Sequence, residues 1–106
     1  MKHPQEIENY AELFKILGNA KRLCLLTNLC IYGEQTVNDL AKCANGSQSY
    51  VSQQLGKLRD CKVVESRKEG LQIYYKLIND DIKDIICKAN LNKLCKNEEN
   101  KHKIEK

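Results

Sequence analysis

The chain has 106 residues, a length that suits a single domain. Its 18 basic and 14 acidic side chains give a net charge of +4, which permits a nucleic-acid partner without requiring one. No apolar run approaches the length of a transmembrane helix and the polar N-terminus lacks a signal-peptide core, so we expect a cytoplasmic protein with no membrane association. The six cysteines are then expected to be reduced thiols rather than a disulfide framework.

Two helices are predicted in the first thirty residues. The first helix is indicated by apolar residues at helical spacing, namely Ile7, Tyr10, Ala11, Phe14 and Leu17. Asn19 is a candidate N-cap for the second helix, which is expected to run from about 20 to 31. The second helix is so apolar that we expect it at the centre of the core.

Two further helices are predicted around an Asn-Gly turn at 45–46. Thr36 and Asp39 have the spacing of a capping box and begin the third helix, and the fourth is expected at 47–60. One face of the fourth helix combines hydroxyl, amide and basic side chains without an acid. Such a face suits the DNA major groove, because amides bond base edges, hydroxyls bond phosphates and no carboxylate repels the backbone.

After the fourth helix, β-forming residues flank the polar segment Ser-Arg-Lys-Glu-Gly at 66–70. This pattern predicts a β-hairpin whose loop carries Arg67 and Lys68. Asn79 is a candidate cap for a last helix, whose apolar residues extend to Leu94. Four helices, a hairpin and a fifth helix in this order predict a mainly α (α+β) winged helix-turn-helix, with the hairpin as a wing that contacts DNA.

The last helix closes the predicted domain, which spans residues 1–95. The tail at 96–106 is almost wholly charged or amide, and we expect it to be disordered.

Three ordered segments resemble the ArsR/SmtB family of bacterial repressors: FKILGNAKRL at 14–23, SQSYVSQQLGKLR at 47–59 and VVESRKEGLQIYYKL at 63–77. Two positions depart from that family. Gln54 stands where the family usually has histidine, and Lys62 replaces the usual glycine before the wing. The resemblance implies a homodimer, formed through the first and last helices, that binds a palindromic double-stranded DNA operator and releases it when a signal binds.

The candidate DNA contacts lie on the fourth helix and the wing. Gln48, Ser49 and Gln53 are expected to meet base edges. The residues expected to hold phosphate, order the helix or serve the wing are Ser47, Ser52, Gln54, Lys57, Arg59, Arg67, Lys68 and Gln72. An enzyme is disfavoured, because the chain has no Cys-x-x-Cys, no histidine beside a cysteine and no glycine-rich phosphate loop. A winged-helix protein-interaction module remains an alternative.

The metal sites known in the family are missing by sequence. Thr36 and Asn38 occupy the positions of one Cys-x-Cys site, and the histidines of another site are absent, since the chain has only His3 and His102. No metal or cofactor is therefore expected.

A thiol- and persulfide-sensing branch of the family, represented by the BigR and HlyU regulators, has one cysteine on helix two and one near the end of the last helix. Cys95 fits the second position, whereas Thr27 falls at the first, with Cys24 and Cys30 one turn to either side. The resemblance implies a switch between Cys95 and Cys30 or Cys24. The alternative is a sensor that holds arsenite, cadmium or a similar ion by three thiolates, with Cys87 among them.

Overall fold

The computed structural model describes residues 4–44 and 46–91. Its elements are α1 (Gln5–Leu17), α2 (Ala20–Tyr32), β1 (Gln35–Thr36), α3 (Val37–Ala44), α4 (Gln48–Asp60), β2 (Val64–Glu69), β3 (Gln72–Leu77) and α5 (Asp80–Lys88). The expectations for Asn45, Leu94, Cys95, both histidines and the tail at 96–106 lie outside the described residues. Within those residues, no helix combines the length and the apolar character needed to cross a bilayer.

The helix starts follow local capping chemistry. The Asn19 side chain accepts a hydrogen bond from the backbone of Arg22, and the Asn79 side chain accepts one from Ile82, as their positions predicted. The capping box that begins α3 is also formed: Asp39 N–H donates to Thr36 Oγ1 at 3.1 Å, and Thr36 N–H donates to the Asp39 carboxylate at 3.4 Å. Polar residues thus fix where three of the helices begin.

The core is built around α2, as its apolar sequence predicted. All five residues at 25–29 are buried, and Leu25, Leu26 and Leu29 pack against residues from α3, α4, α5 and the sheet. The buried polar members are satisfied locally. Thr27 Oγ1 donates to the Leu23 carbonyl at 2.7 Å, and Asn28 Nδ2 donates to the Cys24 carbonyl at 2.9 Å.

The three strands form an antiparallel sheet in the order β1-β3-β2. The two-residue strand β1 was not predicted, because two residues carry no alternation pattern. It pairs Gln35 with Tyr75 and Thr36 with Tyr74, and so joins the start of α3 to the β2–β3 hairpin, which we call the wing.

The turn of the wing differs from the sequence prediction. Arg67 and Lys68 lie within β2 and not in the loop, since β2 and β3 stay paired as far as Glu69 and Gln72. The connection is the two-residue turn at 70–71, in which Gly70 has φ +62°. A positive φ at the first turn position is typical of a type II′ hairpin turn, which glycine accommodates without strain.

Helix α5 ends at Lys88, and Leu91 is helical again after a two-residue turn, while the predicted extension to Leu94 lies outside the described residues. Asn90 follows with φ +60°, the left-handed conformation that ends many helices and that asparagine tolerates better than most residues. Lys62, before the wing, also has a positive φ of 62°. The family's usual glycine at that position is therefore explained by the backbone, and the lysine here is strained.

Candidate nucleic-acid interface

Helix α4 has two different faces. Val51, Leu55 and Leu58 are buried in the core. The opposite face is exposed and consists of Gln48, Ser49, Ser52, Gln53 and Lys57. Helical geometry explains the division, because residues three and four apart share a face. The polar face predicted from the sequence is thus present on the surface, whereas Gln54, a further expected DNA contact, does not lie on it.

Gln54 is not a surface residue, and the expectation that it contacts DNA is wrong. Its side chain is only 6% exposed, and its Oε1 accepts a hydrogen bond from Arg22 Nη1 at 3.3 Å. The same guanidinium donates to the carbonyls of Ile16 at 2.9 Å and Lys15 at 3.3 Å. Arg22 therefore joins the end of α1 to the inner side of α4, and Gln54 serves as the acceptor on α4.

Ser47 and Arg59 lie at the two ends of α4. Ser47 is the N-cap, and its Oγ accepts a hydrogen bond from the backbone of Tyr50 at 3.1 Å. Its hydroxyl therefore orders the helix, one of the two roles expected for it. Arg59 is half exposed near the C-terminal end, with its Nε 4.0 Å from the carboxylate of Asp60, a weak ion pair in water.

Two polar residues beside α4 were missed by the sequence reasoning. Asn38 on α3 accepts a hydrogen bond from Gln48 Nε2 at 2.8 Å, so the two exposed amides form one unit across the helix-turn-helix. Lys21 on α2 lies over the ring of Tyr50, with its Nζ 4.8 Å from the ring centroid, and adds a cation near the start of α4. Neither contact has a local sequence signal, because each joins residues at least ten positions apart.

Two basic residues of the wing, Arg67 and Lys68, have different surroundings. Arg67 donates two hydrogen bonds to the carboxylate of Glu34, at 2.8 and 2.7 Å, and a third to Glu69, and it also lies 4.6 Å from the ring centroid of Tyr74. This arrangement raises the pKa of Arg67, and the hydrogen bond from Arg67 lowers the pKa of Glu34. Arg67 therefore anchors the wing to the turn after α2. Lys68 and Gln72 are exposed towards the end of the hairpin.

The two cysteines on α2 face different neighbours. The Cys24 thiol is 3.9 Å from the Cys43 carbonyl on α3 and 3.6 Å from Asn28 Nδ2, so it does not face the last helix as one of the two alternatives required. Burial raises the pKa of Cys24, and the hydrogen bond from Asn28 partly lowers it. Cys30 faces α5, where it interacts with Cys87 and Lys83. Thr27 lies in the core between them.

None of the five cysteines in the described ranges forms a disulfide. Across the same ranges, no three His, Cys, Asp or Glu side chains are grouped so that they could hold a metal ion.

This arrangement of a helix-turn-helix, an exposed amide-rich second helix and a β-hairpin wing defines a winged helix-turn-helix protein. Residues 19–66 match the family described as "Bacterial regulatory protein, arsR family". The chain is 35% identical over 81 residues to the HTH-type transcriptional regulator KmtR of Mycobacterium tuberculosis, which covers 76% of this chain and 62% of KmtR. It is 34% identical to the transcriptional repressor PagR of Bacillus anthracis, over 76% of this chain and 80% of PagR.

Among solved structures, the transcriptional repressor BigR from Xylella fastidiosa superposes with a TM-score of 0.72 and 33% identity, covering 77% of this chain and 83% of BigR. The chain belongs to the arsR family of bacterial regulatory proteins. The relatives named above are transcriptional regulators, and the winged helix-turn-helix fold predicted from the sequence is confirmed.

Proposed function

We propose that this protein is a homodimeric repressor that binds a palindromic DNA operator through α4 and the wing and leaves it when a cysteine thiol is modified. The observation that carries the proposal is the exposed face of α4, on which amide, hydroxyl and lysine side chains stand opposite a fully buried apolar face. A helix of this kind can enter the major groove without exposing apolar surface or presenting a carboxylate to phosphate.

In this docking, Gln53, Ser49 and Gln48 reach base edges, where an amide can make two hydrogen bonds to one adenine. Ser52 and Lys57 contact phosphates. Lys68 is the cation that the wing offers to the backbone, because the guanidinium of the preceding residue is held by two carboxylates. Each phosphate contact adds to the salt dependence of binding.

The dimer is proposed through α1 and α5. The apolar stripe of α1 faces outward for most of its length: Ile7 is 56% exposed, Tyr10 45% and Phe14 56%. Large apolar side chains aligned on one exposed face mark a protein-contact surface more often than a solvated one. A two-fold partner would cover this face and set the spacing of the two α4 helices near one turn of duplex.

For the inducer, we propose oxidation or persulfide and polysulfide modification of cysteine rather than metal binding. Cys30 faces α5, whereas Cys24 faces α3, which favours Cys30 as the α2 thiol of the switch. Cys95, its partner by family resemblance, lies outside the described residues. The alternative, a site that holds a metalloid by three thiolates, needs a third cysteine beside Cys30 and Cys87, and the part of the chain that the structure describes has no such group of three ligands.

The proposed docking is tested by a gel shift with DNA from upstream of the protein's own gene, using reduced wild-type protein. Gln48→Ala should weaken binding by roughly 1–3 kcal/mol, or about 5- to 150-fold, and blur sequence preference. Lys68→Ala should reduce the slope of log affinity against log salt by about one, because it removes one phosphate contact. Lys88→Ala, which removes an exposed charge on α5 away from the proposed DNA contacts, is the matched control, provided that sedimentation shows the variant to have the same oligomeric state as the wild type.

Unchanged affinity and salt slope in both interface variants would contradict the docking. Failure of the reduced wild type to bind any upstream fragment would contradict the repressor function itself. The dimer is checked separately by sedimentation, where Phe14→Asp should yield monomers.

A further inference from the structure

Two exposed amide side chains meet across the helix-turn-helix. Asn38 is the second residue of α3 and Gln48 is the first residue of α4. The Gln48 Nε2 atom donates a hydrogen bond to Asn38 Oδ1 at 2.8 Å, although the two residues are ten positions apart. A bond between exposed side chains contributes little to folding. Its place beside the candidate DNA contacts points to a role in recognition.

Local hydrogen bonds fix the backbone beneath both amides. Asn38 lies inside the capping box that begins α3, and β1 attaches that box to β3. Gln48 directly follows Ser47, the N-cap of α4, whose hydroxyl accepts a hydrogen bond from the Tyr50 N–H. Side chains on such rigid elements hold their geometry better than side chains on loops. The contact between the two amides is therefore supported on both sides.

This contact uses only part of the Gln48 amide. A glutamine amide has two N–H donors and one acceptor oxygen. One N–H is given to Asn38, so the other N–H and Oε1 remain, and the described residues place no partner on either. An adenine edge in the major groove needs one donor for its N7 and one acceptor for its N6 amino group. The groups that remain on Gln48 match that requirement.

The hydrogen bond also determines how the Gln48 amide is oriented. A free glutamine amide can rotate by half a turn, which exchanges its donor and acceptor and lets it bond to more than one base. Rotation of Gln48 alone would set its oxygen against the oxygen of Asn38 and lose the bond. Prior immobilisation also lowers the entropy cost of ordering a long side chain on DNA. Both effects favour one base over the others.

We infer that Asn38 is a positioning residue for base recognition, which holds the Gln48 amide in the orientation that selects adenine at one base pair of the operator. The inference rests on the repressor function proposed above and deepens it at one contact. Gln48 meets the base edge, and Asn38 acts through Gln48. Loss of Asn38 should therefore reduce the preference for that base pair more than the affinity for DNA in general.

The base pair is first located with the reduced wild type and Gln48→Ala. Each base pair of the bound upstream fragment is substituted in turn, and fluorescence anisotropy gives the ratio of affinities for the original and the substituted sequence. Gln48 contacts the position at which Gln48→Ala abolishes this affinity ratio. We expect an A·T pair at that position.

The positioning role is then measured with Asn38→Ala. At the base pair that Gln48 contacts, this variant should lower the affinity ratio by roughly 2- to 13-fold, the factor that corresponds to immobilising one long side chain. At the other base pairs the ratios should remain as in the wild type. Adding Asn38→Ala to Gln48→Ala should change the ratio no further, because no amide is left to orient.

Asn38→Asp is the matched rescue variant. Aspartate keeps an oxygen that can accept from Gln48 Nε2, but it adds a negative charge near the DNA backbone. It should restore the affinity ratio while lowering the affinity for every sequence, most strongly at low salt. A merely structural role of Asn38 would not separate these two measurements. Because aspartate only accepts, the rescue also tests the direction of the hydrogen bond.

The contact can also be measured without DNA. Nitrogen-15 relaxation of the Gln48 side-chain amide, assigned by its disappearance in Gln48→Ala, should give a higher order parameter in the wild type than in Asn38→Ala. The exposed amide of Gln53, for which the described part of the chain offers no hydrogen-bond partner, is the internal comparison. Its order parameter should be low in both proteins.

Four results would overturn the inference. These are an equal loss of affinity for all sequences in Asn38→Ala, failure of Asn38→Asp to restore the ratio, equal mobility of the Gln48 amide with and without Asn38, and a base pair other than A·T at the contacted position. If Gln48→Ala alters no affinity ratio, the inference is also wrong, but a wild type that discriminates sequences keeps the repressor function. Absence of DNA binding by the reduced wild type instead refutes the repressor function itself.

Discussion

Replacing the two adjacent glutamines of α4 should separate folding from DNA recognition. Gln54→Ala removes the buried acceptor of Arg22. A hydrogen bond to a charged group contributes about 1.5–3 kcal/mol, and the lost buried methylene adds about 0.8 kcal/mol. We therefore expect the free energy of unfolding to fall by roughly 2–4 kcal/mol, which lowers Tm by on the order of 10 °C in a domain of this size.

Gln53→Ala is the matched change on the exposed face, one position earlier in the same helix. It should alter the free energy of unfolding by less than about 0.5 kcal/mol, as most surface substitutions do. It should weaken binding to the upstream DNA by roughly 1–3 kcal/mol, the size of a lost base contact.

The assays are urea unfolding followed by circular dichroism and a DNA titration by fluorescence anisotropy. Both use one fixed protein concentration, since the stability of a dimer depends on it. Gln54→Met serves as the control for volume, because it refills the space without supplying an acceptor and should recover only part of the stability. If Gln54→Ala unfolds like the wild type but loses DNA affinity, the burial argument is wrong and Gln54 is a DNA contact.

Three further predictions follow from the backbone and the charges. Lys62→Gly should raise the free energy of unfolding by about 0.5–1 kcal/mol, because the strain of a left-handed non-glycine residue costs more free energy than the extra conformational entropy of glycine in the unfolded chain. Lys62→Ala, measured by the same urea unfolding, should bring no such gain. In an NMR pH titration, the pKa of Glu34 should lie below the ordinary glutamate range and return to it in Arg67→Met, and an unchanged midpoint in the variant would contradict the pairing. Because the folded pKa is the lower one, the ion pair stabilises the wing at pH above the unfolded pKa, and this stabilisation is lost as the pH falls through the folded pKa. Alkylation of Cys30, followed by site-resolved mass spectrometry, should require a higher pH than that of an ordinary thiol, and Cys87→Ala should move the profile to lower pH; no movement would mean that the two thiols do not interact.

The helices and their starts were predictable because their signals are local. Asn19 and Asn79 act on backbone groups three residues away, and the capping box at the start of α3 spans the same distance. The apolar content of α2 likewise determined its central position. These patterns depend on helix geometry alone, which every sequence shares.

The errors concern contacts between distant parts of the chain. Gln54 stands in a polar run, and only the position of Arg22, 32 residues earlier, shows that it points inward. Arg67 was placed in the hairpin loop because neither Glu34 nor the extent of β2 was visible from the segment around it. The direction of Cys24 was undecided for a related reason, since its neighbour on α3 depends on how the two helices pack.

The ion pairs of Arg67 bear on how mutagenesis of this protein should be interpreted. Arg67 neutralises Glu34 and Glu69, two carboxylates on or beside the wing. Its removal would unmask two negative charges facing the phosphodiester strand and so repel it. A scan of the wing would then record a loss of DNA affinity at Arg67 whether or not its guanidinium touches DNA, and only a variant that also neutralises both acids would reveal the difference.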